Sequence, residues 1–281
     1  MRYLLLSILL FIAVVSVQAQ DTLSVENAKK KPLKIEHAEP LYIDLIRDLG
    51  AHKGEKEWNI GAGMTDNLSY DEYEFLVEYE WAPINRLGLE IEVPVTLYSK
   101  NSKDRNGEVN RPSDRVESLK LASQYTFFVS EKLQTSMALG QITEFEFKDF
   151  DTFSRNDMFQ GLLFNPFFIA AKRWGKDFHS LIYTGPRLSR HFGHSGINTS
   201  YEVNTSFHYM IPHSRNFVGL ELNKEIADGN MHVTARPQMR LAIHEGLMVG
   251  IVSGIPLTRG NERISSFVRL IYEPGHKRHS H

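Results

Sequence analysis

The chain has no cysteine. That excludes disulfide scaffolds, zinc–thiolate centres, thiol catalysis and a lipid-acylated N-terminal cysteine. It also lacks an excess of either charge, with 32 Lys and Arg against 34 Asp and Glu. This balance gives no nucleic-acid footprint and no broad basic face for a membrane surface. Neither a phosphate-binding glycine fingerprint nor a Gly-x-Ser-x-Gly elbow occurs. Past residue 20, no run approaches the roughly 18 apolar residues that a helical membrane span requires.

What is present begins with a leader. Arg2 precedes an almost wholly apolar run from Leu4 to Val17, and Val17-Gln18-Ala19 offers a small-residue exit. The run is short for a bilayer span and fits a secretory signal peptide over residues 1–20. Its removal takes Arg2 away and moves the net charge from −2 to −3.

From residue 57 the pattern has a period of two. Tyr73, Phe75, Val77, Tyr79 and Trp81 alternate with Glu72, Glu74, Glu78 and Glu80. Leu87, Leu89, Ile91, Val93, Val95 and Leu97 then alternate with Gly88, Glu90, Glu92, Pro94, Thr96 and Tyr98. The runs at 201–211 and 232–244 repeat the pattern, setting Glu202, Asn204, Ser206 and His208, then His232, Thr234, Arg236, Gln238 and Arg240, against apolar neighbours. Successive side chains of a strand point to opposite faces, so these are strands with one apolar face. Several run past ten residues, the length of a tilted strand that crosses a bilayer.

The expected fold is therefore all-β: a single transmembrane antiparallel β-barrel of about 12 strands, within 10–14. Strands are expected near 57–65, 70–82, 87–99, 116–129, 133–148, 158–173, 178–188, 199–212, 217–226, 231–244, 247–257 and 264–273. Short and longer links largely alternate, and the even count returns both termini to one side, expected to be the periplasm of an outer-membrane protein. The stretch 158–188 alternates poorly, and Asn165-Pro166-Phe167-Phe168 predicts a bulge or bend. Trp81, Tyr98, Phe127, Phe128 and Trp174 fall near strand ends, where aromatic girdles are expected.

Four regions follow: the signal peptide, a periplasmic N-terminal segment over 21–56, the barrel over 57–274 and a His-rich tail over 275–281. In the second, Pro40 opens the run Leu41 to Leu49, which stops at Gly50. Leu41, Leu45, Ile46 and Leu49 share one helical face, so a short helix is expected near 40–49. It needs an apolar surface and is expected to plug the barrel mouth, dock on a partner or lie on the membrane.

The polar face of a membrane barrel lines its lumen. Candidate binding residues there are Glu74, Glu78, Glu90, Glu92, Glu202, His208, Arg236, Gln238, Arg240 and Arg269. Acidic and basic walls facing each other create a transverse field that orients a charged or zwitterionic solute; mutual salt bridging would instead fill the lumen. A twelve-stranded barrel lies between filled and open sizes, so both remain open. The leading function is passage or binding of a small charged solute. The alternatives are a non-conducting barrel that docks a periplasmic protein and an outer-membrane lipid-modifying enzyme. Outer-membrane lipid or lipopolysaccharide is an expected partner and nucleic acid is not. No enzyme activity is expected, since Ser206 and His208 share a strand face that points inward.

No cofactor is expected and no metal site is assigned. Glu36, His37 and Glu39, the loop residues His191 and His194, and the tail residues His276, His279 and His281 each fall short of a closed coordination sphere.

The stretch from His37 to Ala51, followed by Lys53-Gly54-Glu55, is similar to the head of a family of outer-membrane proteins of unestablished function. The similarity extends through Glu57-Trp58-Asn59, Tyr125-Thr126-Phe127-Phe128 and Ala171-Lys172-Arg173-Trp174-Gly175. The resemblance implies a barrel with a distinctive periplasmic head rather than an activity. Within that head, His37, Glu39, Pro40, Asp44, Arg47, Asp48 and Gly50 are the candidate gate or docking residues. Family members commonly carry Arg where His52 stands, which implies no ligand role for it.

Overall fold

A computed structural model describes residues 31–43, 45–100, 111–155, 157–258, 260 and 262–275. The leader, the His-rich tail after Gly275 and Asp44 lie outside the described residues.

Thirteen strands form: β1 (Lys56–Asn67), β2 (Tyr70–Ile84), β3 (Leu87–Lys100), β4 (Arg115–Val116), β5 (Ser118–Ser130), β6 (Thr135–Phe147), β7 (Phe159–Trp174), β8 (Phe178–His191), β9 (Asn198–Met210), β10 (Phe217–Ala227), β11 (Asn230–His244), β12 (Leu247–Pro256) and β13 (Glu262–Tyr272). Every pairing is antiparallel between sequential neighbours, except that β3 passes over two-residue β4 to reach β5, and β1 pairs with β13. The last pairing closes the sheet, with Trp58 opposite Tyr272. The result is a closed 12-stranded barrel with β4 as an extra strand on its rim. Closure removes the two open edges that such a sheet would otherwise expose.

The chain enters and leaves at one end, here the near end. Its links are tight: Asn85–Arg86, 131–134, 175–177, 211–216 and 245–246. Arg86 and Gln134 take positive φ there (68° and 50°). The far-end links include the longer 101–114, 148–158, 192–197 and 257–261. Apolar side chains such as Ile60, Phe75, Val77, Leu139, Phe207, Leu220 and Val268 project outward and are exposed. Around a closed barrel they form a belt that meets hydrocarbon rather than water.

Three expectations change. No register shift falls at Asn165–Phe168: the register to β8 is the same at Phe164–Leu188 and at Phe168–Thr184, and only the pairs between them are absent. The register shift of β7 against β6 lies nearer its start, between Phe159 and Gly161. Pro166 has no N–H for the ladder. Asn165 bridges the gap, donating from its amide to Pro186 O (2.9 Å) and accepting from the Tyr183 hydroxyl (2.6 Å). Tyr98 leaves the outer girdle, lying buried on the inward face with its hydroxyl donating to Glu117. Phe127 and Trp174 do stay exposed at the near rim.

The third change is the run at 40–49, whose described residues form bends and turns, not a helix. Arg47 has φ of 77° and donates its N–H to Leu45 O (2.7 Å), a tight turn about Ile46 that stops helical winding. The helical spacing of its leucines serves two different walls. Leu45, Ile46 and Leu49 join Ala138, Phe167, Ile169 and Leu181 in one buried cluster. Leu41 and Ala38 join Phe217, Met248, Phe267 and Ile271 in another. The N-terminal segment therefore fills the near half of the lumen, and its apolar residues bury against the inner wall.

Candidate functional site

The site is the lumen and its plug, residues 33–50. Wall side chains hold the plug backbone, each from an inward position of its strand. Ala38 N–H donates to His179 Nδ1 (2.6 Å), Leu41 N–H to Gln238 Oε1 (2.7 Å) and Ile43 N–H to Glu221 Oε1 (3.1 Å). Gly50 N–H donates to Thr126 Oγ1 (2.9 Å), and Gln124 donates to Arg47 O (2.7 Å). Among the described residues, 33–50 makes no backbone–backbone bond to the wall. Such bonds begin just after it, with Arg86 N–H to Ala51 O (2.6 Å) and Gly54 N–H to Ala82 O (2.8 Å).

Charge anchors the same segment. Arg47, nearly inaccessible, places its guanidinium 2.7 Å from Glu57, 3.3 Å from Glu80 and 2.6 Å from Asp48. Lys34 pairs with Asp48 and with Glu55 (2.8 Å). Burial opposes the charge on Lys34, but Asp48 and Glu55 outweigh it and hold its amine above the ordinary value. His37 shares a 2.9 Å hydrogen bond with Ser136 Oγ. Burial, then the neighbouring His179 and Arg173, lower its pKa to about 4. Burial and Asp48 raise the Glu39 carboxyl well above its usual range. Pro40 and Glu39 border Arg240 and Arg269 in a cavity of about 20 Å³.

The ten lumenal candidates face inward; Arg236 and Arg240 on β11 stand well round the barrel from acidic β2 and β3, but Arg269 does not. Strands β13, β1, β2 and β3 are consecutive around the barrel, so Arg269 and the acidic strands are neighbours. Arg269 reaches past Gly61 to Glu78 (3.8 Å). Lys120, on β5, pairs with Glu90 (3.1 Å) and Glu92 (3.0 Å). Arg240 donates to Arg215 O and lies 4.8 Å from the Phe217 ring. His208 is fully buried with its ring edge-on to Phe217. Gln238 joins Leu41 to Glu221, whereas Glu74, less buried, sits farther along β2.

Sequence reasoning passed over His179, Glu221, Glu57, Lys120 and Asn223. The alternation Phe217, Gly219, Glu221, Asn223, Glu225 was available to place Glu221 inside. A single inward histidine on β8 carried no comparable signal.

Above the plug, toward the far end, the lumen opens into a vestibule of about 380 Å³ with Tyr42 and Ile43 as its floor. Arg187, Glu202, Asn223, Glu225 and Arg236 are on its walls. The Arg236 guanidinium lies 3.3 Å from the Tyr42 ring centroid. Glu202 is held by Arg187 (3.0 Å).

A family model matches residues 33–273, which takes in plug and barrel together. The chain belongs to the HAEPLYID-like family. The string of that description is present here as His37–Asp44, the part of the plug that carries Leu41 and Tyr42. No curated protein matches the chain in sequence. Among solved structures it is similar to an outer-membrane channel from Pseudomonas putida F1, at 13% identity and TM-score 0.61, over 82% of this chain and 99% of that one. It is also similar to the KdgM porin (12% identity, TM-score 0.52) and the NanC porin (10%, 0.52), each over 77% of this chain and 98% of the other. At these identities the likeness is one of fold, that of outer-membrane β-barrels.

Proposed function

We propose that this HAEPLYID-like protein is a gated outer-membrane barrel for a small charged solute, with residues 33–50 as the gate. The near end, with its short turns, is read as periplasmic, so both termini face the periplasm and the apolar belt contacts outer-membrane lipid. A secretory leader over residues 1–20 fits that route. The reading involves no chemistry on the solute.

The observation that carries it is how the plug is held. Side chains of the wall bind its backbone, while every ladder bond of the barrel lies between strands. The plug can therefore leave without opening a strand pair. Gly50 and Gly54, with φ of 84° and 93°, flank the backbone-anchored neck about which it would swing.

The test is single-channel conductance in a planar bilayer for the mature protein and for a form lacking residues 21–50. The gate predicts a closed or briefly opening mature barrel and a steadily conducting truncated one. Equal conductance of two correctly folded forms would contradict it.

A further inference from the structure

The vestibule offers two charge sites of opposite sign, and each is incompletely satisfied. At the floor, Arg236 donates from Nε to Asn223 Oδ1 (2.7 Å) and from Nη1 to Ser265 Oγ (3.2 Å). Its face rests on Tyr42. Arg236 thus has a fixed position but no ion pair among the described residues. A guanidinium carries five N–H groups, and two are used here. Gly254 permits this seating: a Cβ there would stand 2.5 Å from Arg236 Nη1 and 2.1 Å from Ser265 Oγ.

On the wall, Glu225 of β10 stands directly opposite Glu202 of β9. Both line the vestibule, and the close ion pair of Arg187 is with Glu202. Like charges directly opposite one another repel, so this pair gains from a further cation. A fixed guanidinium binds a carboxylate through two parallel N–H···O bonds. A pocket of a few hundred Å³ is in the range that encloses small organic solutes.

We infer that the vestibule binds a small amino-carboxylate, its carboxylate on Arg236 above Tyr42 and its ammonium toward Glu225 and Glu202. The inference rests on reading the lumen as a solute path, but it concerns binding, which does not need the gate to open. Binding is therefore measured by calorimetry on the folded mature barrel in detergent, and conductance separately in the bilayer. The probe is alanyl-alanine, compared with its C-terminal amide and its N-acetyl derivative.

The expected result is saturable binding of the dipeptide, with at least tenfold weaker binding of both derivatives. Arg236→Gln is expected to abolish binding, and Arg236→Lys, which keeps the charge and loses the fork, to weaken it about tenfold. Glu225→Gln should weaken the free dipeptide but leave the N-acetyl derivative unchanged. Absence of dipeptide binding, or equal affinity for the amide, overturns the assignment even if neither arginine variant folds. Conductance without dipeptide binding would overturn this site and leave the gate standing; binding without gating would do the reverse.

Discussion

The carbonyl oxygen of Ile46 sits 1.8 Å from where a Cβ on residue 88 would stand. Plug and wall touch there backbone to backbone, and only a glycine on β3 leaves the room. Gly88→Ala must push the plug away from the β3 wall, at an overpacking cost of about 1–3 kcal/mol. Since β3 itself needs no change, the expected outcome is a folded barrel whose residues 33–50 become protease-sensitive. Protection equal to wild type would show that the plug does not pack on β3.

Arg47 is a central anchor, because its removal takes the cation away from Glu57 and Glu80 in the barrel wall and leaves them the neutral donor Asn59. Breaking a buried pair from one side typically costs 3–5 kcal/mol. Arg47→Met should lower the urea midpoint for plug release by a corresponding amount, followed by protease protection of residues 33–50. Glu57→Gln combined with Glu80→Gln should recover part of the loss. An unchanged midpoint in Arg47→Met would remove Arg47 from the anchoring role.

Plug docking should also respond to pH through His37. Its docked pKa, about 4, lies below the ordinary value of 6.5, with burial, His179 and Arg173 as the causes. The released form therefore takes up protons first. The contribution of neutral His37 is present above about pH 6.5 and is lost as pH falls toward 4. Glu39, whose carboxyl is raised, acts in the opposite sense, so the comparison is between wild type and His37→Gln. Plug protection in wild type should fall relative to the variant between pH 6.5 and 4, and parallel curves would contradict this.

The strand pattern of this barrel was legible because lipid and lumen impose opposite demands on alternate residues, as Phe75 and Val77 against Glu74 and Glu78 illustrate. Alternation faded at 158–173 for a physical reason. There Phe167, Ile169 and Ala171 point inward at an apolar plug, so β7 is apolar on both faces. The plug itself was misread for a related reason. Leu41, Leu45, Ile46 and Leu49 have helical spacing, but the contacts that hold them come from walls distant in sequence, and a turn at Ile46–Arg47 serves those contacts better. The candidate lumen residues were recognisable as inward-facing. Their partners were not, because closure of β1 on β13 determines which charges meet.

The central claim is that the segment carrying Leu41 leaves the lumen when the barrel conducts. Leu41 Cγ lies 3.3 Å from the position of a Cβ on residue 250, close to the Sγ-to-Cβ separation across a disulfide. The chain has no cysteine to interfere. The decisive measurement is bilayer conductance of Leu41→Cys/Gly250→Cys before and after a reductant, beside the form lacking residues 21–50. The account predicts silence while the bond is intact and openings once it is reduced. Steady conductance through the oxidised, cross-linked barrel would contradict it.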